Sequence, residues 1–512
     1  VVVLENCCDF DDSTHQLVDG LLADVKRRRQ SMVSLWEGPS FMAEPKKILL
    51  VKPDSELTVV KRLRAFLHLE PLALEHLAGA VPAGDEVRIL DMTVETWPLR
   101  ALRRAVRRYR PDLVGVTAYS NQRARAAECV RIIREESPGS LIVLGGHHAT
   151  IMPHDCRIPH LDALVRGEGC ATFRKMIEEL DGGRDAILAL PNVYAPDATD
   201  FGEVPPYPGI DSLPLPRRDL VDGRKYFCAW SSPSKAAGAS ILPAVVSMRT
   251  SYGCAYECSF CIVPQLCGRK YFPRSIDSIV DELESLTCDY VYFVDDETFL
   301  SPRHMWELGR KIQERGIRKH YVSWARSNTV TANPDLFKFW HEIGLDIVYV
   351  GLESTSDATL KSLNKKATLA QNEEAIRILD GCGITLHPAF MVMPEFAAED
   401  FQALNAYVQS MPPVEVAFTV YSPSPGTEDW KKHAGDYICD PIRFYDCMHT
   451  ILPTRLPLKE FYRHFAQLTV RAMSRNPLRV NKTRVNPWEL LKLVWMTGRY
   501  IRTQRNMWRD YA

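Results

Sequence analysis

Twice along this chain, short uninterrupted apolar runs alternate with amphipathic stretches, and that rhythm limits the fold more than any other feature. The first series, from Lys46, is KILLVK, VRILD, DLVGVTAY, LIVLGG and DALVRGEG. Parallel strands covered by helices on both faces have no solvent side, so they read as continuous apolar runs. A Rossmann-like, doubly wound parallel sheet is expected, with ligands at the carboxyl ends of its strands. The second series, from about Ala244, is AVVSMRTSYG, YVYFVDDE, YVSWARSN, IVYVGLES, ITLHPAFMV and VEVAFTVYSP. Helical patterns separate these runs, which predicts a (β/α)6 partial TIM barrel. Pro-rich residues 191–216 break the alternation and read as a linker.

A chain of 512 residues, 46% of them hydrophobic, exceeds one ordinary core. The expected organisation is an extension over residues 1–45, an α/β domain over 46–190, a linker over 191–243, the barrel over 244–430 and a helical domain over 431–512. That last part includes PIRFYDCMHTILP and LKEFYRHFAQLTVRAM as helices. The 63 Lys and Arg balance 64 Asp and Glu, so no global field favours nucleic acid. No apolar stretch approaches the ~18 residues of a membrane span, and the acidic start VVVLENCCDFDD does not resemble a signal peptide. A cytoplasmic protein is expected. Locally, the last fifty residues carry eleven Lys or Arg, two acids and Trp488, Trp495 and Trp508. Such a tail reads as a solvated face of a helix packed on the barrel, or as a peripheral contact with an anionic inner-membrane surface.

The 14 cysteines are scattered, unlike the framework of a small secreted domain. Cys7, Cys8, Cys129, Cys156, Cys170, Cys228, Cys288, Cys382, Cys439 and Cys447 read as buried thiols. Cys254, Cys258 and Cys261 are different: SYGCAYECSFC places them as CxxxCxxC directly after a predicted strand. Three thiolates hold three irons of a 4Fe–4S cubane and leave the fourth open to a chelating ligand. A structural zinc or three idle thiols are the competing readings.

This motif resembles the radical S-adenosylmethionine (SAM) superfamily, including Phe260 before the last cysteine, where the family borders the adenine. The resemblance extends to other strand ends. Asp295 and Asp296 match the position that binds the SAM amino group, Arg326 could pair with its carboxylate, and Gly351, Glu353 and Ser354 match the segment whose acid bonds the ribose. Acids at such positions also simply cap helices. A doubly wound domain ahead of this barrel resembles the cobalamin-binding class. The turns Thr117, Tyr119, Ser120 and Asn121, then Gly145, Gly146 and His147, then Gly167, Glu168 and Gly169 would let backbone approach the corrin tail. No DxHxxG motif is present, so cobalt is expected without a histidine ligand, over residues 53–57 or 119–121. His147 and His148 would contact the cofactor's tail or be ordinary loop histidines.

Residues 46–470 are most similar to the hopanoid C-3 methylase family, through LEPLALE, WHEIGLDIVYVGLE, SPSPGTEDW and ILPTRLPLKEFY. MVMPEF at 391–396 replaces an expected Asp-rich turn. The resemblance implies a methyltransferase using a 4Fe–4S cluster, SAM and cobalamin. It would remove a hydrogen atom from an unactivated carbon through the 5′-deoxyadenosyl radical, then deliver methyl from methylcobalamin. An external electron donor and a largely apolar small-molecule substrate are implied, with Phe299, Trp324, Phe390 and Tyr421 as pocket walls or, as barrel aromatics, as core. Rearrangement or ring formation without methyl transfer, and a non-catalytic cobalamin or redox sensor, remain open alternatives.

Overall fold

The computed structural model describes residues 44–230, 240–412, 414–475 and 487–511. The elements below belong to the unit Lys46–Ala512. Cys7 and Cys8 lie outside the described residues.

The first series forms one six-stranded sheet: β1 (Lys47–Lys52), β2 (Glu86–Asp91), β3 (Leu113–Thr117), β4 (Leu141–Gly145), β5 (Ala163–Val165) and β6 (Val193–Tyr194), in the order β2-β1-β3-β4-β5-β6. All pairings are parallel except the last. β6 therefore adds an antiparallel edge inside the stretch read as linker. The continuous apolar runs have the expected cause. Leu49 and Val51 pack with Leu102, Val106 and Ile133 on one face, while Ile48 and Leu50 pack with Leu74, Phe173 and Met176 on the other. Strand order reverses between β1 and β3, which opens the crevice where ligands bind in doubly wound sheets.

The second series forms β7 (Val246–Met248), β8 (Tyr290–Phe293), β9 (His320–Ala325), β10 (Leu345–Glu353), β11 (Thr385–Val392) and β12 (Ala417–Val420), all parallel and in sequence order. Side chains alternate across this half-barrel. Val291, Phe293, Tyr321, Val348, Val350 and Phe390 join the helix-side core. Tyr292, Val322, Trp324, Ile347 and Tyr349 point into the barrel. Trp230 joins that inner cluster, with its indole N–H donating to Asp346 at 2.9 Å, near the beginnings of the strands. The run AVVSMRTSYG is not one strand: it stops at Met248, and Ser251–Tyr252 pairs antiparallel with Phe272–Pro273.

Two α/β sheets thus need a joint, and a buried ion network supplies it. Arg218 sits 3.3 Å from Glu70 and 2.8 Å from Glu282, and it donates to the Ser247 carbonyl at 2.6 Å. The Ser247 N–H in turn donates to Glu70 at 2.8 Å. Arg274 pairs with Glu282 from the barrel side.

Beyond the barrel, Leu458–Arg475 and Pro487–Asn506 are helices. PIRFYDCMHTILP is not. Asp440 accepts the N–H groups of Ile442 and Arg443, and Asp446 accepts those of Met448 and His449, so carboxylates replace the helical ladder. Cys447, in that turn at φ 60°, is exposed rather than buried, and Cys288, Cys382 and Cys439 are only partly buried. Cys129, Cys156, Cys170 and Cys228 are buried, as is Cys267.

Candidate active site

Both sheets send their strand ends toward one region. Gly426, in the SPSPG turn after β12, lies close enough that an added Cβ would touch Ile151 of the first domain at 3.7 Å and Ile262 of the cysteine loop at 3.4 Å. Leu57, after β1, packs with Met391, Met393 and Tyr421 of the barrel.

The cysteine loop follows Gly253, whose φ of +88° and closeness to the Lys270 carbonyl and Cys267 exclude a side chain there. Cys254, Cys258 and Cys261 are free thiols in this loop. Burial pushes Cys254 up to about 11 and Cys261 up to about 12, and each also feels the charge of the other loop cysteines. Among the described residues no three His, Cys, Asp or Glu groups converge as they would around a single ion. A cubane asks for something else, thiolates spaced around separate irons. Phe260 is half-buried, and its carbonyl accepts from Ser424 Oγ at 2.6 Å. Ser424 is also hydrogen-bonded to Tyr445.

The three consecutive acids after β8 differ sharply. Asp295 is buried with both oxygens occupied, by Thr250 N–H (2.8 Å), Thr250 O–H (2.6 Å) and Ser251 N–H (3.0 Å), which accounts for the break in the first barrel run. Asp296 is exposed and accepts the Gly253 N–H at 2.9 Å. Glu297, not singled out in the sequence, is buried with Oε1 unpartnered, and burial holds it up at about 7. Arg326 and Thr329 are its neighbours. Arg326 itself is buried, lies 3.8 Å over the Tyr256 ring, donates to Cys258 Sγ at 3.3 Å and reaches the Lys365 carbonyl. Its guanidinium is thus tied to the cysteine loop.

Glu353 ends β10 at φ 62° and pairs with the buried Lys365 at 2.7 Å. Gly351 makes room for that pair. Ser354 Oγ accepts the Ser356 N–H at 3.2 Å. Of the expected walls, Trp324 stacks on Tyr349 at 4.7 Å inside the barrel, and Tyr421 donates to Asp429 at 2.9 Å. Phe390 and Phe299 are corrected to core. Both are fully buried on the helix side, Phe299 against Phe337 and Trp340, Phe390 against Tyr407 and Phe418. Strand parity puts Met391 rather than Phe390 on the inner side, in an apolar cluster of Leu57, Leu363, Met391, Met393, Tyr421 and Leu452 bordered by Phe260.

In the first domain, Gly146 at φ +91° approaches Thr117 so closely that a Cβ would lie 2.3 Å from its hydroxyl. Thr150 links two turns, donating to the Gly146 carbonyl and accepting the Gly167 N–H. Gly145 ends β4, while Glu168 and Gly169 open the following helix, with Glu168 accepting the Cys170 N–H at 2.8 Å. Tyr119 is exposed, beside half-buried Asn121 and 5.6 Å from the His147 ring. His147 has Nδ1 unpartnered, and burial pushes it down to about 4, so it is neutral. His148 is different: fully buried, it is held between Ser120 Oγ and Asp155.

Residues 62–177 match the B12 binding domain, and residues 248–408 match the radical SAM superfamily. Hopanoid C-3 methylase of Methylococcus capsulatus is 31% identical over 408 residues, covering 78% of this chain and 75% of that protein. The chain belongs to the cobalamin-dependent radical SAM methyltransferases. Two solved structures share its fold. OxsB, a cobalamin-dependent SAM radical enzyme with aqua-cobalamin and SAM bound, has a TM-score of 0.60 at 17% identity, over 90% of this chain and 72% of that one. TsrM, a methyltransferase from Kitasatospora setae, has a TM-score of 0.60 at 19% identity, over 91% and 99%.

As a cobalamin-dependent radical SAM methyltransferase, the protein uses a 4Fe–4S cluster, SAM and cobalamin. Its residues fit all three. The three soft thiols of one loop suit iron, the orphaned Glu297 oxygen is an acceptor without a partner, and Gly146 brings the turn after β4 against Thr117 at the carboxyl end of β3, a strand that bounds the switch point.

Proposed function

We propose that the enzyme methylates an unactivated carbon of a largely apolar, hopanoid-like small molecule. When bound, the cluster and SAM supply a hydrogen-abstracting radical, and cobalamin supplies the methyl group. The observation that carries the substrate class is the apolar cluster at the barrel mouth, drawn from Leu57, Leu363, Met391, Met393, Tyr421 and Leu452. It adjoins Phe260 of the cysteine loop, and its two methionines suit it to irregular apolar shapes.

In this reading Cys254, Cys258 and Cys261 hold the cluster, with Arg326 fixing Cys258. Glu297 and Asp296 receive the SAM amino group, since Asp295 is already committed to Thr250 and Ser251. Glu353, aimed by Lys365 and given room by Gly351, receives the ribose, and Phe260 borders the adenine. Tyr119, Asn121, Gly146, His147 and Gly167 line the cobalamin face, with Ser120 and His148 bracing it from behind. Removing a hydrogen atom from an sp3 carbon needs no general base, so the protein's part is to position reactants and exclude water, where proximity contributes ~7–11 kcal/mol. An external one-electron donor is required.

The test is anaerobic reconstitution with iron, sulfide and cobalamin, followed by labelled-methyl SAM, reductant and a desmethyl hopanoid. Labelled methylhopanoid with 5′-deoxyadenosine and S-adenosylhomocysteine is the expected result. SAM cleavage with no label in the lipid would overturn the substrate class.

A further inference from the structure

The helix Pro487–Asn506 presents two apolar stripes where a packed helix needs one. Leu493, Met496 and Tyr500 face inward, Leu493 and Met496 against Ile241, and Tyr500 edge-on to Phe66. Trp488, Leu491, Val494 and Trp495 point outward and are 59–77% exposed. Large hydrophobic side chains grouped this way mark a binding surface rather than chance exposure.

Charge is sorted on the same element. Its one acid and the next one beyond it are engaged by the fold: Glu489 accepts from Ser240 Oγ (2.9 Å) and the Ile241 N–H (3.2 Å), and Asp510, just beyond the helix, lies 3.0 Å from His449 Nε2. The cations face out. Arg62, Arg499, Arg502 and Arg509 line a groove of about 430 Å³ together with Thr58, Thr503, Asn506 and Asp510. Burial and then the charge of Arg499 lower Arg62. Arg499 also lies 4.4 Å over the Trp495 ring, joining the basic groove to the apolar stripe.

We propose that this helix face docks the enzyme on an anionic phospholipid bilayer, with the Trp488–Trp495 stripe at the headgroup boundary and the arginine groove on lipid phosphates. Nucleic acid would match the arginines but leave the exposed Leu491 and Val494 in water. A bilayer interface takes both halves, and indole and guanidinium are the groups that settle there. No helix among the described residues is long and apolar enough to cross a membrane, so attachment is on the surface. The face is also joined to the active site. The helix packs on Thr58–Leu63, which directly follows Leu57 of the apolar cluster.

Flotation of the full chain with phosphatidylcholine vesicles, and with vesicles containing phosphatidylglycerol, tests this without any turnover. The wild type is expected to float with the anionic vesicles and to release as salt rises. Arg499→Ser and Arg502→Ser should each lower partitioning about fivefold. Leu491→Ser combined with Trp495→Ser should abolish it, with an unchanged thermal midpoint showing intact folding. Absence of flotation, or flotation indifferent to both sets of substitutions, would overturn the proposal. So would a dimer that the apolar substitutions dissolve, since a second copy would then be the occupant.

Discussion

Gly351→Ala tests the proposed role of Glu353 in holding SAM. Gly351 lies where β10 loses register with β11. A Cβ there would sit 2.3 Å from Glu353 Oε1 and 2.9 Å from Lys365 Nζ. Both are ends of side chains, so the substitution turns the ion pair aside while the strand stays in place. Overpacking of this kind destabilises by ~1–3 kcal/mol, a loss of several degrees in midpoint. A hydrogen bond to a charged group contributes ~1.5–3 kcal/mol, so a displaced Glu353 should weaken SAM binding roughly ten- to hundredfold. Equilibrium dialysis of labelled SAM against the reconstituted variant measures this directly. Glu353→Asp, one methylene shorter, restores room beside Ala at 351, and the double variant should bind better than additivity allows, by ~0.5 kcal/mol or more. A Gly351→Ala protein that loses thermal stability yet binds SAM like the wild type would refute the reasoning and reduce the pair to a structural one.

Three further outcomes follow from burial and charge. Glu75 is fully buried with neither oxygen partnered, and burial together with the Glu70 charge raises it to about 8. The native state therefore holds a proton that the unfolded chain releases above about 4.5, so stability falls as pH rises from about 4.5 to about 8. Glu75→Gln should remove that loss, gaining a few kcal/mol at pH 8.5 and little at pH 4.5 in thermal melts. At His449, burial alone would favour the neutral ring, but Asp446 and Asp510 override it and raise it to about 9. Its stabilisation is full below about 6.5 and disappears as pH climbs through about 9. His449→Gln should abolish that alkaline slope, read by hydrogen exchange at residues 507–511. Finally, Phe390→Ala should lower stability by ~3–5 kcal/mol while leaving substrate preference intact. Met391→Ala, on the inner side, should raise KM for the proposed apolar substrate.

Legibility in the sequence tracked how local each signal was. Both sheets were readable because buried parallel strands announce themselves as runs such as KILLVK and YVYF. The cysteine loop was readable because its spacing carries its chemistry. The acids after β8 were not separable in advance. Asp295, Asp296 and Glu297 are neighbours of similar chemistry, and only their burial and partners divide a structural carboxylate from an orphaned one. Phe390 was misplaced because parity is invisible until the barrel's inner face is known, and one residue reverses it. PIRFYDCMHTILP carried a helical pattern, but Asp440 and Asp446 offered its backbone nearer acceptors. The apolar cluster had no local signature, since Leu57, Leu363, Met391 and Leu452 are far apart in sequence.

The joint between the two sheets explains why such dispersed residues make one site. Methyl transfer needs the cobalamin face and the cysteine loop held at a fixed separation, and apolar packing alone tolerates sliding. The Glu70, Arg218 and Glu282 network does not, because shifting one partner leaves another charge buried and uncompensated, at ~3–5 kcal/mol. Buried ions add little net stability, but they discriminate strongly between registers. Ser247, which belongs to β7 and bonds both Glu70 and Arg218, carries that register toward the cysteine loop that follows the strand. The first domain is therefore keyed to the strand that leads to Cys254. Leu57 reaches the apolar cluster from the first domain, and Ile151 lies beside Gly426 of the turn after β12. In the proposed reading, the network fixes how the first domain meets the strand before the cysteine loop, and the apolar cluster selects the molecule that is methylated.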